Sequence, residues 1–412
     1  MPNENMIHEI INPQGVDRAD IAVFIPSFRE KEHIEVPVRK AAMGLKNFYP
    51  DRSVVLINCD NASGDGTREA FFAAEADVPR IYVSTPPGTA GKGANLRNIF
   101  QMAAQLEARA AVVIDANLIS IKSTWIKSLT QPILDGADFT APLYLRHKHD
   151  APITRTLGYP LTRALFGRRV LQPICVDHAF SARLVEIYRT HPWRLDDAGY
   201  RSDLEMLYLA IANQAPICQS FMAHPRVASL GRLDYDLARA FTFVAQALFD
   251  LMEESWDFWS GIKRSRPTAL FGVDDSPVNP PPLVEVDHDY LINGFMELGR
   301  EYRPLWRDIF PSELLGQLDR ESDLTARGQP LSLSNDVWRR LVFETALAYR
   351  KAAPHDRPDL ASALSPLFLA RLLSIDQESQ KLSTRQYPSV LEKEALAFEN
   401  AKPELISRWR EI

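Results

Sequence analysis

Cysteine is scarce in this chain, with three residues in 412: Cys59, Cys175 and Cys218. None are spaced as paired metal ligands, and an odd count leaves no complete disulfide framework, so a reducing, cytoplasmic setting with small core thiols is expected. No window reaches the roughly 18 uninterrupted apolar residues of a membrane-spanning helix. The amino-terminal MPNENMIHEI lacks both the basic and the apolar stretch of a secretion signal. Secretion and membrane insertion are therefore not expected, which argues against a polysaccharide synthase anchored beside lipid-linked acceptors. Positive charge is also in deficit, with 47 Lys and Arg against 53 Asp and Glu. Without a general basic field, nucleic acid and anionic membranes are not expected as partners, although a local basic pocket is still allowed.

What is present is ordinary globular material, 46% hydrophobic and 24% charged, enough to bury sizeable cores. A chain of this length exceeds what one core usually organises, so two domains are expected, 1–235 and 236–412. From about residue 20 to 140, short apolar runs at 21–25, 54–58, 80–84 and 111–114 alternate with helix-compatible segments from Lys31 and Gly66. Such runs read as parallel strands buried on both faces, hence a Rossmann-like α/β domain. Helix-like pieces follow at 161–166 and 203–211. Beyond residue 237 strand signals almost vanish: 237–259 reads as one long amphipathic helix and 266–284 as a Pro-rich connector through Asn279-Pro280-Pro281-Pro282. Further helices are expected at 291–302, 335–351, 360–373 and 389–400, giving a mainly helical C-terminal domain.

Polar residues collect at the carboxyl ends of the four early strands, where open α/β sheets bind ligands. The first strand ends in Pro26-Ser27-Phe28-Arg29-Glu30, a proline and a small residue that expose backbone groups to a base or ribose, with Glu30 able to accept from ribose hydroxyls. The second ends in Asn58-Cys59-Asp60, where Asp60 is placed to accept from a base imide or ribose, while Asp65 and Thr67 read as helix caps. The third leads into Gly88-Thr89-Ala90-Gly91-Lys92-Gly93, whose glycines, helix N-terminus and Lys92 suit a phosphate. It is not a Walker A loop, because Gly93 stands where a magnesium-binding hydroxyl belongs. The fourth delivers Asp115 and Asn117 on one side of the chain, two oxygen ligands suited to Mg²⁺ or Mn²⁺.

Together these four pieces resemble the nucleotide-sugar domain of the glycosyltransferase A fold, over roughly residues 20 to 235, with Asp115-Ala116-Asn117 similar to its metal-binding Asp-x-Asp motif. Arg146-His147, Asp150-Ala151-Pro152-Ile153-Thr154, Gln172-Pro173 leading to Asp177, and Ala223-His224 more narrowly resemble the retaining mannosylglycerate, glucosylglycerate and glucosyl-3-phosphoglycerate synthases. The resemblance implies a metal-dependent hexosyltransferase making a compatible solute or its precursor. The donor would be a nucleoside-diphosphate sugar and the acceptor a small carboxylate such as glycerate or its phosphate. It implies His224 as third metal ligand beside Asp115 and Asn117, Asp203 and Asp177 near the reacting sugar, and Arg146 and Thr154 on the acceptor.

The sequence departs from that pattern at Ile174-Cys175-Val176-Asp177, where two glycines and a glutamate follow Gln-Pro in those enzymes, and at Pro225, which stands between His224 and Arg226. The basic stretch 146–169 reads either as a solvated face or as charge for an anionic acceptor. The aromatic set Trp256, Phe258 and Trp259 reads as packing or an interface, and a homodimer is a reasonable expectation. An inverting reaction with Asp177 or Asp203 as base stays open. So do two other classes, a sugar nucleotidyltransferase and a catalytically silent scaffold of the same fold.

Overall fold

The computed structural model describes residues 6–89, 91–193, 200–229, 236–272 and 280–412, without the side chains of Lys92 and Tyr200. In chain order the elements are β1 (Glu9–Ile11), β2 (Ile21–Ser27), α1 (Glu35–Phe48), β3 (Val54–Asp60), α2 (Thr67–Ala73), β4 (Arg80–Ser84), α3 (Lys92–Gln105), β5 (Ala110–Val113), α4 (Ser123–Leu134) and β6 (Phe139–Leu143). A π-helical turn (Thr154–Gly158) then runs into α5 (Tyr159–Phe166), followed by β7 (His178–Ser181), α6 (Ala182–Thr190), α7 (Tyr200–Ala212) and β8 (Ile217–Phe221). The remainder is α8 (Leu237–Glu254), α9 (Trp256–Trp259), β9 (Ala269–Phe271), α10 (His288–Ile309), α11 (Ser312–Ala326), α12 (Asn335–Lys351), α13 (Arg357–Ala363), α14 (Ser365–Ser379) and α15 (Tyr387–Arg410).

These elements form two compact units, and the chain passes between them more than once. The first is Met1–Leu145, Gln172–Gly231 and Pro267–Pro281; the second is Arg146–Leu171, Arg232–Arg266 and Pro282–Ile412. The first is an α/β layer structure and the second is helical. Arg146–Leu171, which the sequence pattern groups with the amino-terminal half, packs with the helical unit.

The α/β unit carries one sheet in the order β1-β4-β3-β2-β5-β7-β6-β8-β9. Pairing is parallel along β4-β3-β2-β5 and β6-β8-β9, and antiparallel for β1 and on both sides of β7. All four early strands appear where their apolar runs lie. Alternate residues of β2, Ile21, Val23 and Ile25, join Leu56, Val112 and Ile114 against Val38, Ala41 and Leu45 of α1 and Trp125, Ile126 and Leu129 of α4 in one core. Phe100 of α3 meets Phe180, Tyr188 and Trp193 in an aromatic group elsewhere in the unit. Strand β9, inside the segment expected to be a bare connector, extends the sheet by pairing with β8.

In the helical unit the expected helix 237–259 is interrupted at Ser255, whose hydroxyl bonds the Leu251 carbonyl. The expected helix 360–373 falls into α13 and α14 because Pro366 lies in the first turn of α14 and cannot continue a preceding helix. Trp259 is fully buried and meets Trp256 and Trp409 edge to face, at ring distances of 4.7 and 5.4 Å, so the two tryptophans of this set pack internally. Part of the basic stretch is spent internally: Arg163 pairs with Glu392 and Glu399 on α15, Lys148 donates to the Ser379 and Leu382 carbonyls, and Arg155 lies over the Tyr387 ring. The stretch Arg357–Ser379 is long and apolar enough to cross a membrane, but 78% of its window is buried inside the protein.

Candidate functional site

The chain runs outward from β2 through β3 to β4, then returns to place β5 on the opposite side of β2. The carboxyl ends of β2 and β5 therefore flank a topological switch point, where the loops diverge and leave a crevice. Ser27 closes β2, and Asp115 follows β5 by two residues.

At the end of β2, Pro26 is partly exposed and Ser27 is buried, and Phe28 just beyond it is exposed. The turn is held from β3 and its following loop. Asn58 donates to the Ile25 carbonyl and the Ser27 hydroxyl, Ser63 Oγ accepts from the Arg29 N–H, and Thr67 Oγ1 accepts from the Glu30 N–H. Arg29 takes a left-handed φ of 57°, a cost that these bonds offset. Asp60 is completely buried and accepts from Ser27 Oγ, Ser63 N–H and Oγ, and Tyr82 Oη at 2.7 to 2.9 Å. Both carboxylate oxygens are thus engaged inside the protein, so Asp60 fixes the turn after β2 rather than standing open to a base or ribose as expected. Burial raises the Glu30 carboxyl above its usual range, opposed by a 2.9 Å bond to His33 Nδ1. Asp65, one residue before the N-cap Gly66, accepts from the N–H and hydroxyl of Thr67, the first residue of α2.

Gly91, with a φ of 94° open to glycine, leads directly into α3, and its carbonyl accepts from Asn61 Nδ2. The backbone of Lys92 therefore opens a 14-residue helix, the geometry that favours an anion. The Lys92 side chain lies outside the described residues, as does Ala90.

The densest electrostatics lie beyond β5. Asp115 donates its backbone N–H to Asp177 Oδ1 at 2.9 Å. Arg226 spans both acids, Nη2 reaching Asp115 Oδ2 at 2.6 Å and Nε reaching Asp177 Oδ2 at 2.7 Å, and Tyr144 Oη adds a 2.7 Å bond to the same Asp177 oxygen. Asp177 is completely buried; burial alone would raise its carboxyl, yet Arg226 and the other donors hold it below the usual range. With both oxygens engaged, Asp177 braces Asp115, and using it as a base requires Arg226 and Tyr144 to release it. Asn117 accepts the Ser229 N–H on its backbone carbonyl at 2.7 Å, while its buried Oδ1 has no hydrogen-bond partner among the described residues. A buried acceptor without a donor is the kind of atom that a cation satisfies. No three His, Cys, Asp or Glu side chains cluster to hold a metal among the described residues. The expected ligand set contains only two of these types, Asp115 and His224, with the neutral Asn117 oxygen as the third.

His224 follows Ala223, a non-glycine residue at a φ of 56°, and its carbonyl accepts from Leu145 N–H at 3.4 Å. Burial, then Lys122, lowers its imidazole below the usual range, favouring the neutral form that can ligate. Asp203 is buried in the first turn of α7. Arg146 and Thr154 belong to the helical unit, where Arg146 pairs with Asp150 at 3.0 Å and Thr154 is buried in the π-helical turn. Asp196 and Asp197, a pair that reads in the sequence as a turn or helix-cap signal, lie outside the described residues. Arg226 and Tyr144 were not legible as site residues: they sit 111 and 33 positions from their carboxylate partners, and only Arg226, just past the His224 segment, carried a hint of its place.

No protein-family model matches the chain, and no curated protein matches it. Solved structures do. One is glucosyl-3-phosphoglycerate synthase from Mycobacterium tuberculosis in complex with Mn²⁺, uridine diphosphate and glucosyl-3-phosphoglycerate, at 24% identity over 57% of this chain and 79% of that one, TM-score 0.46. Another is the same synthase with Mg²⁺ and uridine diphosphate, at 22% identity over the same shares, TM-score 0.45. A third, described as a mycobacterial protein, is 23% identical over 57% of this chain and 74% of that one, TM-score 0.45. The first two bear the name of synthases that the sequence motifs resemble, and the functional reading stands on the chain's own residues.

Proposed function

We propose that the protein is a metal-dependent hexosyltransferase, moving glucose or mannose with retention from a nucleoside-diphosphate sugar to glycerate or 3-phosphoglycerate. The observation that carries this reading is Asp115 and Asn117, two residues apart just beyond β5 at the switch point, with the Asn117 Oδ1 buried and without a partner among the described residues. In this reading Asp115, Asn117 and His224 hold Mg²⁺ or Mn²⁺, which when bound offsets charge growing on the departing diphosphate. Pro26, Ser27 and Glu30 seat the nucleoside on a turn whose shape Asp60 fixes. The α3 N-terminus and Lys92 receive phosphate oxygens, and Asp203 contacts the reacting sugar.

The test is thermal stability with uridine, guanosine and adenosine diphosphates, each with and without Mg²⁺ or Mn²⁺, on the native chain and Asp115→Ala. A metal-dependent rise in Tm of several degrees for one diphosphate, absent in the variant, is expected. That base then selects the donor for assays with glycerate and phosphoglyceric acid. No shift with any diphosphate overturns the transferase reading in favour of a silent scaffold.

A further inference from the structure

Arg226 stands where its charge matters most to the candidate cation site. Its guanidinium binds Asp115 and Asp177 through different nitrogens, Nη2 at 2.6 Å and Nε at 2.7 Å. Side-chain exposure falls from 21% at Asp115 through 16% at Arg226 to none at Asp177. The two contacts are thus unequal. The Nε bond is anchored on a buried carboxylate that also accepts from Tyr144 Oη and the Asp115 N–H, whereas the Nη2 bond lies at the more open end. A divalent cation on Asp115 would meet the guanidinium at short range in a partly desolvated setting, where like charges repel strongly.

Resting on the transferase reading above, we propose that Arg226 is a positioning residue that makes cation binding conditional on the diphosphate. Before the donor arrives, Arg226 is the counter-ion that holds Asp115 and Asp177 in place. When diphosphate and cation enter together, the guanidinium keeps its Nε bond to Asp177 and swings Nη2 from Asp115 to a phosphate oxygen, a partner whose geometry the arginine fork matches. The diphosphate adds the negative charge that lets two cationic centres share the site. A lysine cannot do both, because its single ammonium has no second nitrogen to stay behind.

The experiment is calorimetric titration of Mn²⁺ into the whole 412-residue chain, alone and with whichever of uridine, guanosine or adenosine diphosphate raises its Tm. It compares the native chain with Arg226→Gln and Arg226→Lys. The native chain is expected to bind Mn²⁺ at least tenfold more tightly with the diphosphate than without. Arg226→Gln is expected to bind Mn²⁺ alone at least tenfold more tightly than the native chain, with most of the diphosphate dependence gone. Arg226→Lys, which keeps the charge and the fold if Arg226→Gln does not fold, should weaken the diphosphate dependence without matching native behaviour. Native and Arg226→Gln chains with equal Mn²⁺ affinity in the absence of nucleotide overturn the proposal, as does an Arg226→Lys chain with fully native diphosphate dependence. So does a native chain whose Mn²⁺ and diphosphate bind independently, an outcome that leaves the transferase reading standing. Failure of Mn²⁺ to bind under any condition removes both.

Discussion

At the scale of single residues, the chain places its strongest charge contacts around one buried acid. Asp177 has no exposed surface, accepts three hydrogen bonds and is the fixed end of the bridge to Asp115. Removing one member of such a pair strands the other, and the cost is set by that stranded charge rather than by the lost contact. Asp177→Ala should therefore destabilise the α/β unit by about 3–5 kcal/mol, read as a lower urea midpoint with unchanged slope. A loss below about 1 kcal/mol would mean that Arg226 finds water instead. The pH dependence has a definite sign. The folded carboxyl titrates below its ordinary value, so its contribution is complete above the unfolded pKa near ~4 and disappears as pH falls through the lower folded value. In acid, the native chain and Asp177→Ala should converge.

At the scale of elements, close helix packing gives a paired prediction. Gly44 lies on α1 where a Cβ would stand 2.5 Å from the Ser123 carbonyl oxygen and 2.7 Å from Ile126 Cγ1 of α4. Neither the backbone nor a branched core side chain can retreat cheaply, so Gly44→Ala should cost about 1–3 kcal/mol despite the better helix propensity of alanine. Gly316, on the exposed side of α11 with open space around it, gives the opposite sign: Gly316→Ala should stabilise by about 0.4–1 kcal/mol. Thermal melts of the two variants check both.

The same scale shows what the sequence made legible. Strands β2 to β5 are continuous apolar runs because both faces of the sheet are covered, and they stood out. Strands β6, β7 and β8 did not, because HAFS and ICQSF are short and mixed and take their strand state from neighbours distant in sequence. β9 was hidden in a segment whose prolines suggested a connector. Helix α11 carries only a narrow apolar stripe, Leu314 and Leu318 among its buried residues, and was missed. At the site, Asp115 and Asn117 were legible from spacing after an apolar strand. The bridge through Arg226 was not, since no local pattern encodes a contact across 111 residues.

At the scale of the whole molecule, the course of the chain decides what can be cut. A division near residue 235 follows the change in composition, yet each compact unit draws on sequence from both sides of it. A fragment of residues 1–235 would lose β9, leaving β8 as an open edge beside β6, and exposed edges invite association. It would also carry α5 without α15. In the full chain α5 is buried along its whole length, with Arg163 on Glu392 and Glu399 and Tyr159 in a core with Ile375, Tyr387, Leu391 and Ala395. Stripped of these partners, an eight-residue helix is too short to persist in water, and its apolar side chains become an exposed patch. The fragment should therefore bind a hydrophobic dye and self-associate, measured by fluorescence and light scattering. A second fragment, with residues 146–171 replaced by a short glycine-serine linker and residues 267–281 appended through another, restores the segments of the α/β unit and should recover a cooperative melt. If the plain 1–235 fragment proves monomeric and melts as cooperatively as this rebuilt one, the crossings of the chain contribute little to the stability of the α/β unit.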